Sequence, residues 1–143
     1  MNGPSFDHLL ALSDHIGIFE HADHTNPRRE HGYCTDDVAR LLIVIAREPE
    51  PSREVRELGR SALSFLAEAQ GADGKVLNRR TASGQWQGER TVEDCWGRSL
   101  WAFGTAARRA PEAWMRRSAL AYFERGTQQR SPWPRSMAFA ACW

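Results

Sequence analysis

The sequence predicts an all-α chain built of helical hairpins, with at most one short β-hairpin. Apolar residues recur at i, i+3 and i+4 in successive blocks, and Pro, Gly and Asp-Gly steps separate those blocks. An arginine ahead of an apolar stretch, in two cases with an aspartate four residues before it, returns at every second block. With 143 residues, 41% of them apolar and twelve of them Trp or Phe, the chain has the material for one packed core.

A first helix starts near Ser5 and carries Phe6, Leu9, Leu10 and Ser13 on one side before Gly17 stops it. Ile18 to Cys34 reads as irregular, broken by Asn26-Pro27 and Gly32. Thr35 reads as an N-cap, with Asp36 and Asp37 in the first turn, where the helix dipole favours negative charge. Val38, Leu41, Leu42 and Ile45 form the buried stripe of that helix, which Pro49 and Pro51 close. Ser52 opens the next, with Val55, Leu58, Ala62, Phe65, Leu66 and Ala69 facing inward and Gly71 at the C′ position. Asp73-Gly74 and Ser83-Gly84 are turn signals and place the one hairpin between Lys75 and Gln87. Thr91 to Asp94 reads as a capping box ahead of Trp96, Leu100, Phe103 and Ala107. Pro111 fits N1 of a helix bearing Trp114, Ser118, Tyr122 and Phe123, with Gly126 after it. From Ser131-Pro132 an apolar helix runs through Met137 and Phe139 to Trp143 without a stop signal. Residues 1–143 are therefore read as a single helical domain that is an N-terminal part of a larger ring.

Composition excludes several classes. The formal charge is +1, and the arginines come as scattered pairs, whereas a nucleic-acid footprint would gather them on one face. The longest apolar run, Leu41 to Ala46, is far short of the ~20 residues that span a bilayer. No nucleic-acid or membrane partner is expected, and the absence of a basic, then apolar, start points to the cytoplasm. Three cysteines without a C-x-x-C spacing argue against a disulfide framework or a zinc knuckle. His21, His24 and His31 with Asp23 match no zinc spacing, so no metal or cofactor is assigned. Cys34 lacks the orienting group that a Cys–His nucleophile needs and reads as a buried thiol.

The repeated motif carries the functional reading. Asp36-Asp37-Val38-Ala39-Arg40 and Asp94-Cys95-Trp96-Gly97-Arg98 share Asp four residues before Arg, and Pro132-Trp133-Pro134-Arg135 repeats the arginine. Taken singly, each pair is an i, i+4 salt bridge worth a few tenths of a kcal/mol. Taken together, they suggest stacked hairpins whose inner helices start at one common rim. Carboxylates at those starts would converge on one cleft, the arrangement that glycosidic-bond chemistry requires.

The stretch His31-Gly32-Tyr33-Cys34-Thr35-Asp36-Asp37-Val38-Ala39-Arg40 resembles a bacterial family of (α/α)-barrel proteins of the six-hairpin glycosidase type, often labelled glycosyltransferases. The similarity extends through Ile18 to Ala22, Asp73-Gly74-Lys75, Val92 to Arg98 and Ser131 to Phe139. The chain departs from the family pattern at Val38 (usually Asn), at Trp96 (often His) and at Trp133. The resemblance implies helical hairpins of an incomplete (α/α) toroid and a protein that cleaves or transfers a glycosidic bond. Asp36, Asp37 and Asp94 become the catalytic acid/base candidates, and His31, Tyr33, Arg40, Glu93, Arg98 and Trp86 the candidates for holding a carbohydrate substrate. Trp86 and Trp133 are also the stacking candidates for sugar rings. The rival reading is a non-catalytic half-toroid that binds a glycan or a partner. An open ring would expose Met137, Phe139 and Trp143 on one flank and Phe6, Leu9 and Leu10 on the other, and self-association is the expected consequence.

Overall fold

The structure, a computed structural model, describes residues 4–143. Its helices are α1 (Asp7–Ala11), α2 (Thr35–Arg47), α3 (Arg53–Ala69), α4 (Asp94–Arg109), α5 (Ala113–Gly126) and α6 (Pro134–Ala140). Five two-residue strands accompany them: β1 (Ala22–Asp23), β2 (Asn26–Pro27), β3 (Tyr33–Cys34), β4 (Arg79–Arg80) and β5 (Trp86–Gln87). The periodic stripes decide the packing. Val38, Leu42 and Ile45 of α2 meet Phe65 and Leu66 of α3 and Leu100 and Phe103 of α4 in one buried cluster. α2 packs on both α3 and α4, and α4 packs on both α5 and α6. The result is two helical hairpins side by side, with α6 laid against the far side of α4.

Two glycines bring α4 and α6 into close approach. A Cβ at Gly97 would collide with the Ser136 carbonyl oxygen, and one at Gly104 with the Trp143 side chain. Those contacts advance together along both segments, so α4 and α6 run in the same direction. Gly97 thereby sets the start of α6 directly beside the start of α4, at the rim where the functional candidates lie.

Several local expectations are corrected. Thr35 is not an N-cap: Cys34 holds that place, and the buried Thr35 hydroxyl instead donates to the Leu77 carbonyl at 2.7 Å. α1 is a single short turn, because Asp14 accepts from the Ile16 and Gly17 amides and bends the chain. Ser52 caps α3 as expected, accepting from the Val55 amide at 3.3 Å. Gly71 does not adopt the left-handed conformation; Gly74, at φ +86°, does. The Thr91 capping box does not form, since α4 begins only at Asp94 and Thr91 accepts from the Glu93 amide. Pro111 precedes α5 rather than opening it, and Gly126 is its last residue. α6 ends at Ala140 instead of running to Trp143, whose ring turns back edge-on to Phe123 at 5.1 Å.

The strands also exceed the expectation of a single hairpin. β4 and β5 are that hairpin, pairing Arg79 with Gln87 and Arg80 with Trp86. β3 adds to it with Tyr33 opposite Arg80 and Cys34 opposite Arg79. A second antiparallel pair, β1 with β2, closes around His24 at φ +55°. Turn signals reveal local hairpins only, and β3 finds its partner across the whole of α2 and α3. That pairing is what fastens the start of α2 beside the 75–87 hairpin. No helix of the described residues is long and apolar enough to cross a membrane.

Candidate active site

The starts of α2, α4 and α6 lie around one open cleft of about 510 Å³. Asp36 enters it from α2, Glu93 and Asp94 from the start of α4, and Trp133, Arg135 and Ser136 from the start of α6, with Asn78 from the hairpin segment. Two of the three acid/base candidates, Asp36 and Asp94, therefore share a cleft.

Neither Asp–Arg pair of the repeat closes at its i, i+4 spacing within its own helix. Arg98 of α4 reaches back to Asp36 of α2, with Nε 3.6 Å from Oδ1. Arg135 of α6 reaches back to Asp94 of α4. Arg98 and Arg135 therefore each serve the aspartate of the preceding motif, an arrangement available only because α2, α4 and α6 stand in a row. Arg40, at the head of that row, turns to Asp37 at 3.0 Å.

The two cleft carboxylates differ in how they are held. Ser136, itself 1% exposed, donates to Asp94 Oδ1 at 2.8 Å while Arg135 engages Oδ2. Burial pushes Asp94 up, but the Ser136 hydrogen bond and the Arg135 ion pair outweigh it and hold the carboxyl below its ordinary range. Asp36 has only the long Arg98 contact, beyond hydrogen-bond reach, and its Oδ1 is shielded from solvent with no hydrogen-bond partner among the described residues. Burial there prevails over Arg98 and Arg40 and raises the Asp36 carboxyl. The Arg98 guanidinium is itself held over the Phe139 ring at 3.9 Å, a cation–π contact that also covers one of the residues expected on an open flank.

The remaining candidates are placed elsewhere. Asp37 faces away from the cleft, toward Glu20 and Cys34, and burial raises its carboxyl. Tyr33 is wholly buried, stacked on Phe19, with its hydroxyl donating to Asp14 at 2.6 Å, so it is a core residue and does not contact the cleft. Burial and that hydrogen bond raise its phenol well above the ordinary range. His31 packs at a tilt against the His21 ring, centroids 4.5 Å apart, outside the cleft. Trp86 packs edge-on to Phe65 under the Arg80 guanidinium, and so braces the hairpin rather than offering a free face. Trp133 is the exposed ring of the cleft, at 57%. Ser136 and Asn78 escaped the sequence reading because neither carries a motif; only the position of Ser136 beside the third repeat arginine hinted at it. Cys34 and Cys95 flank Asp36, and burial pushes both thiols up to about 11, so neither is a ready nucleophile.

No family model, curated protein or solved structure matches the chain.

Proposed function

We propose that the chain is a carbohydrate-active protein of glycoside hydrolase type, an arc of an (α/α) toroid that works on a glycosidic bond with Asp36 and Asp94. The observation that carries the reading is the opposite displacement of two carboxyl groups in one cleft, the pattern that separates an acid from a base. Asp36, whose carboxyl is raised by burial, is the acid that gives a proton to the leaving glycosidic oxygen. Asp94, kept ionised by Ser136 and Arg135, serves as the base for an incoming water or hydroxyl, or as the nucleophile. Trp133 offers an aromatic face on which a sugar ring can stack, and Asn78 and Glu93 supply polar contacts to ring hydroxyls. Transfer to a sugar hydroxyl differs from hydrolysis only in the acceptor, and this assignment of the two carboxylates serves both.

One observation favours a second reading. Both oxygens of Asp94 are already occupied by α6, which suits a structural ladder in a glycan-binding, non-catalytic arc. Aryl glycosides with a chromogenic leaving group separate the two. The enzyme reading expects turnover that Asp36→Asn and Asp94→Asn each reduce by about 10²-fold or more, the lower range of acid–base contributions. Binding of oligosaccharides without turnover, lost in Trp133→Ala, supports the second reading. Neither turnover nor binding across the panel sinks both.

A further inference from the structure

We propose that Glu20, Cys34 and Asp37, with His21 beside them, bind a divalent transition-metal ion of the Zn²⁺ class that clips the 18–34 segment to the start of α2. One ligand atom from each of the three lies within 4.8 Å of the others. Two pieces of backbone bring them together: the Glu20 amide donates to the Gly32 carbonyl and holds that residue beside β3, while Cys34 at the end of β3 and Asp37 in the first turn of α2 follow one another along the chain. His21 adds an imidazole, its Nε2 3.9 Å from Glu20 Oε1. None of Glu20, His21, Cys34 and Asp37 lines the cleft, which Cys34 touches only through its hydrogen bond to Asn78, and the metal site does not rest on the function proposed for the cleft.

The donor set selects the ion. A thiolate with carboxylates and an imidazole suits a borderline-soft cation, whereas Mg²⁺ and Ca²⁺ take oxygen ligands alone. Around a tetrahedral ion with bonds of ~2.0–2.3 Å, ligand atoms sit about 3.3–3.8 Å apart. Metal binding therefore requires the cluster to close by about 1 Å. Arg79 engages Glu20 Oε2 and Arg40 engages Asp37 Oδ1, which leaves the second oxygen of each carboxylate for the ion. The arginines then stand as outer partners, the role that orients most ligating carboxylates. On binding, the Cys34 S–H bond breaks, the sulfur–metal bond forms and the proton leaves to solvent; the hydrogen bond from Cys34 to Asn78 is given up in the exchange.

Co²⁺ is the probe, added to the chelator-treated full chain with the exposed Cys142 replaced (Cys142→Ser). A thiolate ligand produces a near-ultraviolet charge-transfer band, expected at about one equivalent of Co²⁺ and absent in Cys34→Ser. Glu20→Gln and Asp37→Asn should each weaken binding roughly tenfold or more, since even outer-shell losses register on that scale. Zn²⁺ should displace Co²⁺ and raise the Tm. No charge-transfer band, or a band that persists in Cys34→Ser, overturns the proposal. If Cys34→Ser does not fold by circular dichroism, unchanged Co²⁺ affinity in both carboxylate variants overturns it instead.

Discussion

Asp36 and Asp94 occupy the same place in the same motif, each in the first turn of its helix and four residues before an arginine. Their carboxyl groups are nevertheless driven in opposite directions. The difference arises one helix further on. Behind Asp94, Gly97 admits α6 so closely that Ser136 and Arg135 each take one oxygen. Behind Asp36, α4 offers Arg98 at a longer reach, its guanidinium engaged with Phe139, and no hydroxyl. A repeat therefore fixes where a carboxylate stands, and the neighbouring repeat decides its proton affinity.

The largest expected effect comes from separating α6 from α4. Gly97→Val forces a side chain into the Ser136 backbone and should cost about 3 kcal/mol of stability or more, at or beyond the top of the range of other overpacking substitutions. Thermal or urea unfolding reads this directly, and a variant as stable as the parent would show that the close approach is not required.

Removing the Ser136 hydroxyl acts on the contrast itself. Ser136→Ala deletes a charge-assisted hydrogen bond and should cost about 1.5–3 kcal/mol, with the Asp94 carboxyl rising toward its ordinary value. The sign of the pH dependence follows. Because Asp94 is lowered in the folded chain, its contribution to stability is present above the unfolded value of about 3.9 and disappears as pH falls through the folded value. Ser136→Ala should flatten the acid limb of the stability curve, and an unchanged limb would assign the lowering to Arg135 alone.

Asp36 behaves in reverse. A raised carboxyl contributes most below about pH 3.9 and loses that contribution as pH rises through its folded value. Asp36→Asn should therefore leave stability at neutral pH within about 1 kcal/mol of the parent, since it removes a buried charge with one long-range partner. A loss of several kcal/mol would mean that the Arg98 contact is tighter in solution than the 3.6 Å separation implies. The smallest effect is expected at Arg40→Ala, where an exposed i, i+3 pair contributes about 0.2–0.5 kcal/mol.

Much of the helical framework was legible in the residues. The stripe Val55, Leu58, Ala62, Phe65 and Leu66 and the Ser52 cap gave α3 almost to its ends, and the paired turn signals gave β4 and β5. What escaped were partners distant in sequence. Nothing near Thr35 indicates that its hydroxyl belongs to Leu77, nor anything near Tyr33 that Asp14 holds its phenol in the core. The Asp–Arg spacing pointed to local bridges because i, i+4 is the only partner a sequence displays. Once helices stand in a row the next helix competes for the same carboxylate, and here it prevails. Of the flank residues expected to be bare, Phe6, Leu9, Leu10 and Met137 are half-buried against the core, while Trp143 keeps 48% of its surface.

The contrast between the two aspartates is tested most directly by following their side-chain carboxyl ¹³C resonances through a pH titration, assigned with Asp36→Asn and Asp94→Asn. The expected result is a midpoint for Asp36 above the ordinary aspartate value of about 3.9 and a midpoint for Asp94 below it. Coincident midpoints, or the reverse order, would contradict the assignment of Asp36 as the acid and Asp94 as the base.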